Sequence, residues 1–141
     1  MSKIAIVYWS GTGNTAAMAN LIAEGATDAG VTPDIITADS FSPEQVGEYD
    51  RIAFGCPSMG SEQLEGSVFE PMFESVKPAL SGKKIALFGS YGWGDGEWMR
   101  NWADDCVAAG CNLVADPLTI CGGPEADVDK CKELGEDLVN A

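Results

Sequence analysis

Residues 8–15 read Tyr-Trp-Ser-Gly-Thr-Gly-Asn-Thr, between the apolar run Ile4–Tyr8 and an alanine-rich stretch of helical spacing. Hydroxyls at Ser10, Thr12 and Thr15, the Asn14 amide and glycines at 11 and 13 crowd where a strand would hand over to a helix. Main-chain N–H groups at a helix start attract anions, and glycine lets the backbone close around a tetrahedral oxyanion. The stretch contains no lysine or arginine. A phosphate held here would rest on hydrogen bonds and the helix dipole alone. The lysine of G-x-x-x-x-G-K-[ST] is missing, which disfavours Mg-nucleoside triphosphate chemistry. Ala16 stands where G-x-G-x-x-G needs its third glycine, so the dinucleotide fingerprint is incomplete. These residues alone leave two readings open: an anion site at a helix terminus, or a glycine-rich turn capped by Thr15.

Two further stretches share this character, "PSMGSE" at 57–62 and "SYGWGDG" at 90–96. Each follows an apolar run, and each is richer in glycine than a plain connection requires. Met59 and Trp93 sit inside these loops instead of on an apolar stripe. Trp98 and Trp102 differ, because they fall with Cys106 and Ala109 at helical spacing and read as core or support for the site.

The elements that must position these loops alternate along the chain. Strands are expected at Ile4–Tyr8, 34–38, 51–56 and 84–89, with a last strand region at 112–115 and 118–120 around Pro117. Helical patterns cover 14 to about 28, 42–46, 68–76, 97 to about 109 and 125–139. Five strands alternating with helices predict an α/β fold with a doubly wound parallel sheet. In such sheets ligands bind at the carboxyl ends of the strands, where the strand order reverses. All three glycine-rich stretches fall at those ends.

At 141 residues, 45% of them hydrophobic, the chain is expected to form a single domain over 1–141. Twenty-two acidic residues against 8 basic ones give a formal net charge of −14. Such a surface repels nucleic acid and anionic membranes and favours basic protein partners. The five cysteines are odd in number and form no C-x-x-C, so they are read as reduced structural thiols, with no metal site expected. The absence of histidine excludes His-dependent triads and mixed Cys/His metal sites. No run is long enough to span a bilayer, and the N-terminus lacks signal-peptide features. A cytoplasmic location is the resulting expectation.

Taken together and in this order, "SGTGNT", "MGSE" and "GSYGWGDGEWM" resemble the flavodoxins, and most closely their short-chain, clostridial-type members. The resemblance covers the whole chain. It implies a five-stranded parallel sheet of order 2-1-3-4-5, with helices on both faces, and FMN as cofactor. Ser10, Gly11, Thr12, Gly13, Asn14 and Thr15 would then hold the FMN phosphate. Met59 would pack on the inner face of the isoalloxazine and Trp93 on its outer face. Glu62 would accept the flavin N3–H, and N–H groups around Tyr91, Gly92, Trp93 and Gly94 would meet the pyrimidine edge. Ser58, Ser61 and Ser90 would be polar neighbours, and Tyr91 either a flavin neighbour or a loop anchor. Gly60 would be the redox switch, its peptide turning to present a carbonyl to N5–H. Pro57 departs from relatives that place a phosphate-binding hydroxyl at this position.

The resemblance further implies a low-potential one-electron carrier, shuttling mainly between semiquinone and hydroquinone, without substrate turnover of its own. Glu62, Glu65, Asp95 and Glu97 would supply negative charge that disfavours an anionic hydroquinone. Partners would be redox proteins with basic docking patches, such as ferredoxin-type reductases and oxidoreductases, met by a monomer. The alternative is a small FMN-dependent NAD(P)H:quinone reductase of the same fold, which would call for longer loops and oligomer contacts. A receiver domain would need acidic residues after strand one and an aspartate after strand three, where Tyr8-Trp9 and Cys56-Pro57 stand instead.

Overall fold

In β1 (Ile4–Tyr8), side chains alternate between two cores. Ile4 and Ile6 join one cluster, while Ala5 and Val7 join the other. A strand apolar at every position has both faces covered, which makes it a central strand of a parallel sheet. The computed structural model describes residues 3–141 and bears this out. β1 pairs in parallel with β2 (Asp34–Thr37) on one side and β3 (Arg51–Gly55) on the other. β4 (Lys84–Tyr91) lies beyond β3, giving the path β2-β1-β3-β4-β5. The strand order reverses between β1 and β3.

The fifth position is divided between two short segments. β5 (Asn112–Leu113) pairs with Lys84 and Ile85, and β6 (Leu118–Cys121) pairs with Phe88 through Tyr91. Pro117 lies in the gap; it has no N–H for the ladder and restricts the residue before it. The sheet therefore has six segments where five strands are expected. β6 also carries β4 two residues past its expected end. Ser90 opposes Ile120 and Tyr91 opposes Cys121, so both are strand residues and not loop residues.

One face of the sheet is covered by α1 (Asn14–Asp28) and α5 (Val128–Asn140). The closing helix starts later than its expected position 125, after a 3-10 turn at Pro124–Ala126. Met18, Ala19 and Ile22 of α1 and Cys131, Leu134 and Leu138 of α5 meet Ile4, Ile6, Ala53, Ala86, Phe88 and Ile120. The other face carries α2 (Pro43–Val46), α3 (Phe69–Val76) and α4 (Glu97–Ala108). There Phe54, Phe69, Phe73 and Trp102 pack mostly edge to face, with ring centroids 5.2 to 5.6 Å apart in the Phe54–Phe73, Phe69–Trp102 and Phe73–Trp102 pairs. Trp98 and Trp102 are both buried, as their spacing requires.

α1 and α5 cross with their backbones in contact. A Cβ on Gly25 would lie 2.0 Å from the Lys132 carbonyl oxygen, and one on Gly135 would lie 2.1 Å from that of Ile22. Neither neighbour is a flexible side chain that can swing aside. Ala at an exposed helical site gains about 1 kcal/mol over Gly, but overpacking costs about 1–3 kcal/mol or more. Gly25→Ala should therefore lower the urea midpoint of unfolding, and a raised midpoint would contradict the close crossing.

Candidate functional site

Five helices begin at the carboxyl edge of the sheet, and three of them, α1, α3 and α4, follow the glycine-rich loops; each start leaves N–H groups without an intrahelical acceptor. The structure satisfies two of these starts with glutamates of the loop after β3. At α3, Glu65 Oε1 accepts the N–H groups of Val68 and Phe69 at 2.7 and 2.8 Å. Its Oε2 accepts the Ser67 N–H at 2.9 Å and the Ser67 hydroxyl. Glu65 is buried. Burial pushes its carboxyl up, but the Ser67 hydroxyl and the three amides outweigh that effect and hold it at about 2, below its usual 4.5. Of the four acids expected to supply negative charge, Glu65 thus directs its carboxylate onto the start of α3.

At α4, Glu62 Oε1 accepts the N–H groups of Gly96 and Glu97 at 3.1 and 3.0 Å. The two remaining sequence-expected acids stay on the surface, where the carboxylates of Glu62, Asp95 and Glu97 lie within 4.8 Å of one another. Arg100 pairs with Asp95 at 3.0 Å and donates to its carbonyl at 2.9 Å. The group stays rich in negative charge.

α1 is different. Its N-cap is Gly13, left-handed at φ 99°, with no side-chain cap and no acidic residue in the first turn. The Ser10 hydroxyl reaches back to accept the Gly13 N–H at 3.1 Å and shapes the loop. Gly11, Thr12 and Gly13 are exposed, while Ser10 and Asn14 are half-buried. The loop borders an open cleft of about 560 Å³ whose far wall is Thr37, Ala38, Asp39 and Val68. Sequence reasoning missed that wall. The parallel pairing of β2 with β1 brings its end there, and an order that reverses beside β1 is the signal that could have found it.

The hydroxyl expected from Thr15 does not face this cleft. Thr15 and Ser90 are both buried, and their hydroxyls share a hydrogen bond of 2.9 Å. The pair ties the start of α1 to the end of β4. Ser58 N–H in turn donates to the Ser90 carbonyl at 3.0 Å, so all three loops are joined at β4.

In the second loop, Met59 and Gln63 exchange main-chain hydrogen bonds of 2.8 and 2.9 Å around Gly60, Ser61 and Glu62. Gly60 has φ 55°, and a Cβ there would meet nothing within 4 Å. Met59 is 38% exposed, and Trp93 of the third loop is 64% exposed. Gly92 and Gly94 flank Trp93 and are exposed. Tyr91 resolves toward an anchor: it is half-buried, with its ring 5.6 Å from that of Trp98, whose indole N–H donates to the Cys56 carbonyl. The Cys56 thiol is buried and pushed up to about 12 by burial, which makes it a poor nucleophile.

A doubly wound sheet with an uncapped phosphate-type loop at its switch point defines a nucleotide-binding α/β protein. The family model described as flavodoxin matches residues 6–135, and the chain belongs to that family. A flavodoxin of Clostridium beijerinckii is 44% identical over 135 residues, covering 96% of this chain and 98% of the relative. One of Megasphaera elsdenii is 44% identical over 138 residues, covering 98% and 99%. The solution structure of the two-electron reduced Megasphaera elsdenii flavodoxin superposes with a TM-score of 0.91 at 45% identity, covering 98% and 99%. Among the described residues no helix is long and apolar enough to cross a membrane.

The Glu65 carboxylate makes acid sensitivity testable. Its folded value lies below its unfolded one, so its stabilisation is present above about 4.5 and is lost as pH falls toward about 2. Glu65→Gln should cost about 1–3 kcal/mol at neutral pH, since a carboxamide has one acceptor oxygen for these donors. Urea unfolding at pH 7 and pH 3 should show less loss on acidification in the variant than in the parent. Equal losses would remove Glu65 from this role.

Proposed function

We propose that this protein is an electron carrier that binds FMN non-covalently through the three loops, within one domain over 1–141. The observation that carries this reading is the uncapped start of α1. Of the three helix starts that follow the glycine-rich loops, α3 and α4 have a glutamate cap and α1 has none. A phosphate dianion fits the exposed Gly11–Gly13 backbone, the Ser10 and Thr12 hydroxyls, Asn14 and the main-chain N–H of Thr15. Met59 and Trp93 offer a thioether and an aromatic face to the ring system, and Ser58, Ser61, Glu62 and the 91–94 backbone offer polar groups to its edge. When bound, the flavin supplies one-electron chemistry, and the protein sets the energy of each step.

The carrier would work mainly between half-reduced and fully reduced flavin, at low potential. Glu62, Asp95 and Glu97 stand where negative charge opposes further negative charge. One such charge ~8 Å away costs about 2 kcal/mol at an effective dielectric of ~20, before screening by salt. The loop that would hold the phosphate adds no cation to offset this. Gly60 sits left-handed with open space beside it, so its peptide can turn and offer a carbonyl. The acidic surface, at a net charge of −14, suits docking of basic patches on ferredoxin-type reductases and oxidoreductases by a cytoplasmic monomer.

Titrating the flavin-free protein with FMN should give one bound flavin per chain with a shifted visible spectrum. No binding at micromolar concentrations would sink the proposal. Rapid oxidation of NADH or NADPH with quinone as acceptor would instead favour the reductase. Gly60→Val places a branched residue at positive φ, at a cost of about 1–2 kcal/mol. It should narrow the gap between the two one-electron potentials in spectroelectrochemistry, and an unchanged gap would remove Gly60 as the switch.

A further inference from the structure

Among the described residues Glu62 is alone in being a non-glycine with positive φ, at 54°. A left-handed backbone costs an ordinary residue about 1–2 kcal/mol, so a compensating contact is called for. The contact is the clasp on α4: Glu62 Oε1 takes both the Gly96 and the Glu97 N–H, 34 and 35 residues along the chain. Two more features serve the same contact. Gly94 and Gly96 are also left-handed, at φ 88° and 92°. A Cβ on Gly94 would lie 2.6 Å from Glu62 Cδ and 2.7 Å from Oε1, so the carboxylate occupies the space a side chain would need.

We propose that Glu62 is a positioning residue that fastens the second loop to the start of α4 before any flavin binds, with Gly94 as the residue that makes room for the fastening. This rests on the FMN reading above and extends it: the ring site is assembled by the protein's own charge–helix contact and not by the cofactor. Oε1 is committed to α4, and among the described residues Oε2 takes no hydrogen bond, leaving it for an N–H donor of the ligand. Loop closure is then completed before binding, and the ligand does not bear its entropic cost.

The test is amide hydrogen exchange by NMR on the full chain, without flavin and loaded with FMN. In the flavin-free protein, Glu62→Ala and Gly94→Ala should each speed exchange of the Gly96 and Glu97 amides about tenfold, the loss of one charge-assisted hydrogen bond. Amides of β1 and β3 should be unchanged, which shows that the variants are folded. Glu62→Gln keeps one acceptor oxygen and should restore part of the protection lost in Glu62→Ala. The same variants should follow that order in FMN dissociation constant. Exchange at Gly96 and Glu97 that is unchanged in Glu62→Ala overturns the clasp. Unchanged FMN affinity in Gly94→Ala, with exchange at Gly96 and Glu97 speeded, overturns the positioning role. A parent protein that shows the exchange pattern but binds no FMN overturns the cofactor reading, and the positioning role with it.

Discussion

Every strand of this sheet runs the same way, so each strand-to-helix junction at its carboxyl edge exposes main-chain N–H groups that need an acceptor. That shared requirement organises the edge. Glu65 answers it at α3 and Glu62 answers it at α4, both from the loop after β3. At α1 the neighbouring residues are glycines and hydroxyls, and no side chain caps the helix. Of the three starts that follow the glycine-rich loops, two are closed by carboxylates belonging to the chain and the third has no side-chain cap. The absence of lysine or arginine from residues 8–15 follows the same logic. A helix start with several free N–H groups can hold a dianion through hydrogen bonds and the dipole, without a cation.

The two glutamates play different parts despite lying three residues apart in the same loop. Glu65 is buried with every strong acceptor position used, and it fixes where α3 begins. Glu62 is half-exposed, uses one oxygen, and joins the second loop to the start of α4. The distinction rests on hydrogen bonds made after folding. Composition shows acidic residues near a glycine-rich stretch, and from there a shared supply of negative charge is a reasonable expectation. Only the packed structure shows that Glu65 directs its carboxylate onto the start of α3.

What local pattern encodes was readable before folding. The apolar run of β1 and the first helix, Asn14–Asp28, emerge with the expected limits, because continuous burial and helical spacing leave marks on neighbouring residues. The convergence of three loops at one edge also follows from the alternation of strands and helices, and the order β2-β1-β3-β4-β5 is the one the resemblance to flavodoxins implies. Features set by distant partners were not readable. β4 reaches Ser90 and Tyr91 because β6 is there to pair with them. The Thr15 hydroxyl turns inward because Ser90 arrives from 75 positions away. Asp39 enters the cleft wall because β2 ends beside β1. The Gly25–Gly135 crossing likewise depends on two helices more than a hundred residues apart.

The Thr15–Ser90 hydrogen bond bears on how the edge acts as a unit. It anchors the uncapped loop of α1 to β4, and the Ser90 carbonyl anchors the second loop through Ser58 N–H. Glu62 then carries the second loop across to α4. The chain of contacts runs from the first loop to the end of β4, to the second loop, to the start of α4. Each link is a hydrogen bond between elements held rigid by a close-packed sheet, so a displacement at one loop is resisted by the other two. Gly60 is the exception within this chain: its Cβ position is empty, and the main-chain bonds flanking it are made by Met59 and Gln63 instead. The edge is thus fastened at its anchors, while the space beside Gly60 is open.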